Sequence, residues 1–197
     1  MHFAPTHRLL AHFPRPLAIL ALACCAALAH ADEYSAVEKL LKNGRAEQAL
    51  EQITDKAGKA PRDPQWRFLR GMAEANLGRT DQAIATYTQL TQEYPELPEP
   101  YNNLAVLYAS QNQLEKASAA LQAAIRANPQ YATAHENLGD IYIKLAQKSF
   151  AQAIQLAPAQ QARLQPKINS LQQLVVPAQP VQAAGGAPAQ KNPAPAP

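Results

Sequence analysis

A period of 34 residues constrains this chain more than any other feature. Ala49, Ala83 and Ala117 are 34 apart, as are Pro61, Pro95 and Pro129. Val37, Gly71, Ala105 and Gly139 keep the step, and so do Gly44, Gly78 and Asn112. Ile53, Tyr87 and Leu121 follow four residues behind the alanines. A fixed repeat of this length means stacked supersecondary units, because one unit cannot bury its apolar face alone.

Each unit reads as two helices. Tyr101, Leu104, Ala105 and Tyr108 recur at i, i+3, i+4 and i+7, one helical face. Gln111-Asn112-Gln113 interrupts the pattern, and Asn112 stands where Gly44 and Gly78 stand in other copies, a place for a left-handed residue. Ala117, Leu121 and Ala124 mark the inner face of a second helix that ends before Pro129, since proline cannot continue a helix. Ala105, Gly139 and Ala117 are small where the paired helices must approach closely. Composition agrees with an all-α fold. Aromatics are 6% with only 7 glycines, which disfavours a barrel or sandwich, and Ala dominates a hydrophobic content of 47%.

These residues carry a resemblance. Tyr101, Leu104, Ala105, Tyr108, Ala117, Leu121 and Pro129 on a 34-residue step resemble the tetratricopeptide repeat. The resemblance implies a short right-handed solenoid of antiparallel helix pairs over 32–158, in copies 30–63, 64–97, 98–131 and 132–158. Two copies depart from the pattern. Arg70 and Glu74 replace Leu and Tyr in 64–97, so Trp66, Leu69 and Ala73 are expected to carry the packing there, with the first helix shifted. In 132–158, Leu138, Gly139 and Tyr142 are in place, but Ala146, Phe150, Ala153 and Pro158 arrive five residues early. With no Gly, Asn or Pro between Ile141 and Leu156, one continuous helix over about 133–156 is predicted. Its exposed apolar face then needs cover from a capping helix over 159–176, where Leu164, Ile168, Leu171, Leu174 and Val175 have helical spacing.

The two ends read differently. Arg8 and Arg15 precede the apolar run LAILALACCAAL (17–28) and the small-residue site Ala29-His30-Ala31, the pattern of a cleaved secretory signal over 1–31. Twelve apolar residues are too few to cross a bilayer, which takes about 20. A lipid anchor on Cys24 or Cys25 is the minor alternative, since Ala21 stands where a large aliphatic residue is usual for Cys24, and Cys25 is preceded by Cys24. Cleavage before Asp32 removes both cysteines and leaves a thiol-free chain suited to an oxidising, periplasmic setting. Residues 177–197 hold six prolines and one large apolar residue, Val181, and are expected to be a disordered tail.

Little in the sequence invites catalysis. The net charge of +3 with 17% charged residues argues against nucleic acid. His135 is the only histidine after the signal and is expected to pack at a helix seam. Glu93, Glu96 and Glu99 match no metal loop, and there is no phosphate-binding glycine motif. No enzyme, cofactor or metal is expected. The resemblance implies instead a concave groove lined by the first helix of each pair. Its outward positions are Phe68, Met72, Asn102, Val106, Ala109, Glu136, Asp140 and Ile143, an apolar patch beside acids. That suits a peptide or protein segment with an apolar anchor and a basic residue. The subgroup of this family that clamps acidic chain ends uses Lys, Arg and Asn; here only Asn103 matches, and Phe68, Met72, Thr133 and Asn137 occupy the other places. The expected role is a periplasmic interaction adaptor, the alternative a structural assembly factor of the cell envelope, a pilus or a secretion machine.

Overall fold

The computed structural model describes residues 32–174. The expected signal (1–31), the last two residues of the expected capping helix (175–176) and the tail (177–197) lie outside the described residues. Among the described residues there is no strand. Residues 32–42 form helix α1, and the described residues from Val37 to Leu174 belong to one compact unit. There follow α2 (Ala46–Lys59), α3 (Pro64–Asn76), α4 (Thr80–Glu93), α5 (Pro98–Ser110), α6 (Leu114–Ala127), α7 (Ala132–Leu156), a short 3-10 turn (Pro158–Gln160) and α8 (Gln161–Leu174). From α2 to α8 each helix packs on the next in sequence, the pattern of a helical-hairpin solenoid.

The period is obeyed to the residue. The second helices α2, α4 and α6 begin 34 apart at Ala46, Thr80 and Leu114. The first helices α3 and α5 begin at Pro64 and Pro98 and end at Asn76 and Ser110. The expected shift of the first helix in 64–97 is therefore absent. Trp66, Leu69 and Ala73 are buried as expected and hold α3 in register. Arg70 and Glu74 meet as an i, i+4 ion pair at 2.8 Å that satisfies the misplaced acid without moving the helix.

The turns repeat as well. Gly44, Gly78 and Asn112 all have positive φ, at 72°, 70° and 57°. In each, the next residue's N–H reaches back to a carbonyl five residues earlier: Arg45 to Leu40, Arg79 to Glu74, Gln113 to Tyr108. This is the Schellman closure, and it requires a residue tolerant of the left-handed region. Proline opens α3 and α5 because the first helical N–H has no intrahelical partner to lose. Asp63 adds a side-chain cap, accepting from the Gln65 N–H at 2.8 Å.

The core is the seam between paired helices. Ala49, Ala83 and Ala117 are fully buried, with Ile53, Tyr87 and Leu121 one turn on. A methyl added at Gly71 would come within 2.7 Å of the Tyr87 ring, so glycine sets the distance between α3 and α4. In the last copy the left-handed turn is missing, and α7 runs unbroken for 25 residues as its sequence predicts. It leans on α6 through Ile141, Leu138 and Leu145, and through a Lys148–Glu115 ion pair at 2.7 Å. The 3-10 turn then reverses the chain, and α8 packs on α7 with Leu164 and Ile168 buried.

Candidate functional site

The eight expected groove residues come from α3, α5 and α7, the first helices of consecutive copies. Because each follows a hairpin, these helices run parallel, and one hydrogen bond fixes two of them side by side. The Asn137 side-chain Nδ2–H on α7 donates to the side-chain Oδ1 of Asn102 on α5 at 2.8 Å. One turn further on, helical geometry sets Val106 beside the turn holding Asp140.

The residues divide by exposure. Glu136 and Asp140 are exposed, and Val106, Ala109 and Ile143 are half-buried. Phe68 is half-buried with its ring tilted against Tyr87 of α4, centroids 5.6 Å apart. Two expectations need correcting. Met72 is only 6% exposed and Asn102 only 4%. Both lie below the surface, Met72 in the apolar core and Asn102 spent on Asn137, so they form the floor of the face and offer almost no contact area. His135 also departs from expectation. It is exposed at the start of α7, its Nε2 2.9 Å from the Pro129 carbonyl oxygen, and caps a turn instead of filling a seam.

The rim of this face is acidic. Glu99 near the start of α5 lies close enough to Tyr131, the residue before α7, to act on its phenol. Burial first, then the Glu99 charge, push that phenol up to about 12. Glu99, Glu136 and Asp140 thus give one sign of charge to a face whose half-buried residues are apolar.

A second concavity was not foreseen. A cleft of about 410 Å3 lies among α2, α3 and α4, lined in part by Ile53, Ala57, Pro61, Trp66, Arg67 and Arg70. Helical angles place Trp66, Arg67 and Arg70 opposite Phe68 and Met72 on α3, so the cleft faces away from the first-helix surface. Both guanidiniums are engaged. Arg67 forks onto both carboxylate oxygens of Glu93, and Arg70 holds Glu74, whose other oxygen accepts from the Thr86 hydroxyl at 2.7 Å. The buried Glu74 stands next to Tyr87, whose phenol burial, and then the Glu74 charge, push well above its ordinary value. Arginines at two seam positions were the available signal for this ion-pair lattice.

Among the described residues no three His, Cys, Asp or Glu side chains converge as a metal site would need, and no helix is long and apolar enough to cross a membrane. Fold and surface define a class: a stack of helical hairpins offering helix faces to other molecules. Residues 34–98 match the family model described as tetratricopeptide repeat, and 107–145 match one described as TPR repeat, between them more than half of the chain. The chain belongs to the tetratricopeptide repeat family.

Solved structures agree on the fold. The first TPR domain of human RPAP3 is 19% identical, with 59% of this chain and 92% of that one covered at a TM-score of 0.55. The first TPR of Spaghetti (RPAP3), bound to the HSP90 peptide SRMEEVD, is 18% identical over 58% and 90% at 0.53. TTC0263, a thermophilic TPR protein in Thermus thermophilus, is 22% identical over 73% and 81% at 0.54. Compared with curated protein sequences, the chain finds no match.

Proposed function

We propose that this protein is an exported, periplasmic interaction adaptor that binds a peptide or protein segment across the first-helix faces of α3, α5 and α7, without catalysis. The observation that carries the reading is the pairing of half-buried apolar side chains, Phe68, Val106, Ala109 and Ile143, with an acidic rim of Glu99, Glu136 and Asp140. A segment with one apolar anchor and a flanking Lys or Arg meets both, the anchor gaining from burial and the cation from the rim field. The Spaghetti domain was solved with an acidic peptide, SRMEEVD. The cations that would grip such an end are missing here, since Phe68, Thr133 and Asn137 stand in their places. Export is supported by the basic start, the apolar run 17–28 and the Ala29-His30-Ala31 site.

A panel of short peptides pairing an apolar residue with basic, neutral or acidic neighbours tests the binding class. Apolar–basic peptides should bind, and the exposed pair Glu136→Lys with Asp140→Lys should weaken them at least about tenfold while helicity stays constant. Preference for acidic peptides would overturn the reading. Intact mass of the exported protein should start at Asp32; a lipid on Cys24 or Cys25 would instead place it on a membrane. The second reading, a structural assembly factor, draws support from the open end at α7, where Tyr142 is 51% exposed.

A further inference from the structure

In the complete hairpins the first-helix small residue faces the second helix: Gly71 meets the ring of Tyr87, and Ala105 and Leu121 hold the same places one period on. Helix α7 carries both halves of that seam in one rod, Leu138, Gly139 and Tyr142 and then Ala146, Phe150 and Ala153. Gly139 and Phe150 are eleven residues apart, about 16 Å along a helix, and cannot touch within one chain. Both halves are accordingly unsatisfied. A methyl at Gly139 would find nothing within 4 Å, and Tyr142 is half exposed. Ala146, Phe150 and Ala153 are only half-buried, whereas Ala117, Leu121 and Ala124 are buried. Helix α8 covers one side of the second half, with Lys167 Nζ 5.5 Å from the Phe150 ring centre. It does so as the first helix of a following copy would, since Pro158 to Gln161 repeats the spacing of Pro129 to Ala132. The side that should meet a first helix of its own hairpin stays open.

We infer that a second copy of this chain fills both gaps, α7 pairing antiparallel with the partner's α7 about a two-fold axis near Lys144. Each fourth hairpin is then completed by the first half of one copy and the second half of the other. The argument for this occupant is register. In an antiparallel seam Gly139 meets the partner's Phe150, Tyr142 meets the partner's Ala146 and His135 meets the partner's Ala153. All three pairs share a midpoint at residue 144 or just after it, so every contact is made twice, as a two-fold interface demands. The stripe, His135, Leu138, Gly139, Tyr142, Ala146, Phe150 and Ala153, contains no Asp, Glu, Lys or Arg that would oppose its own image. A hinge too short to reverse the chain is the usual origin of such exchange.

Light scattering on the purified full-length protein should give the mass of two copies. Gly139→Leu fills space that is empty within one copy but closed in the pair, so it should raise the dissociation constant at least about tenfold with helicity unchanged. In a Cys24→Ala, Cys25→Ala background, His135→Cys with Ala153→Cys places thiols about 27 Å apart along α7. Mild oxidation should then yield covalently joined copies. A single-copy mass at about 100 μM, a concentration that would populate even a weak pair, overturns the inference. So does a disulfide closed within one copy, which would mean that α7 folds back on itself.

Discussion

The hairpin α5–α6 and the single helix α7 use the same residue types in the same order and reach different structures. In α5–α6, Tyr108 and Ala117 are separated by a turn centred on Asn112, whose positive φ lets the chain reverse. In α7, Tyr142 and Ala146 are one helical turn apart, and nothing between them breaks the helix. The loss of five residues converts a buried seam into an open stripe. Packing residues alone do not specify a hairpin; the left-handed turn decides whether they meet.

Large-to-small substitution at equivalent positions should expose this difference most strongly. Leu121→Ala removes a buried side chain from the closed seam and should cost about 2–5 kcal/mol. Phe150→Ala, at the matching place in α7, should cost a single copy roughly half of the ~3–5 kcal/mol usual for a buried phenylalanine, because the ring is only half-buried. Denaturant titration at two protein concentrations sharpens the comparison. If α7 pairs with a second copy, the Phe150→Ala penalty grows with concentration, while that of Leu121→Ala does so far less. Equal penalties at all concentrations would mean that the two regions pack alike.

Glycine substitution should give opposite signs. At Gly71 a new methyl would lie 2.7 Å from the buried Tyr87 ring, so Gly71→Ala should destabilise by about 1–3 kcal/mol. At Gly139 the same methyl meets nothing, and alanine already occupies this place as Ala105 in the complete hairpin. Gly139→Ala should stabilise by roughly 0.5–1 kcal/mol through the lower entropy cost of ordering alanine in a helix. Thermal unfolding read by circular dichroism distinguishes them; a destabilised Gly139→Ala would show that α7 has a close neighbour even as a single copy.

How far the sequence carries follows from the same contrast. Repeat length, helix order, the left-handed places at Gly44, Gly78 and Asn112 and the fusion of α7 are all local or periodic, so they are legible in one chain. Burial across helices is not. Helical phase assigned Phe68, Met72, Asn102 and Val106 to one face, but it could not say how far neighbours cover each of them. Asn102 sinks because Asn137, 35 residues later, reaches back to it and ties α7 to α5, and Met72 lies in the apolar core. The cleft among α2, α3 and α4 was missed for a related reason. Arg67 pairs with Glu93 across 26 positions; it stands one period before Tyr101 of the repeat signature, but Glu93 lies outside that signature, so the pairing leaves no periodic mark.

The smallest effect separates the ion pairs of the two regions by pH. Within the closed hairpin, hydrogen bonds from Arg67 and then Gln89 hold the Glu93 carboxyl below its ordinary value. Between α6 and α7, the hydrogen bond from Lys148 does the same for Glu115. A carboxyl whose pKa is lower folded than unfolded adds stability above the ordinary glutamate range, and that stability is lost as pH falls through the folded value. Arg67→Gln and Lys148→Gln should each lower Tm slightly at neutral pH and match the parent in acid, where both glutamates are protonated. Arg67→Gln should show the larger difference. The Arg67 fork grips both carboxylate oxygens from a largely buried position, whereas Lys148 is exposed and makes a single contact that solvent screens. Melting curves across the acid range decide it: a larger loss for Lys148→Gln would show that the α6–α7 contact is held more firmly than the closed hairpin.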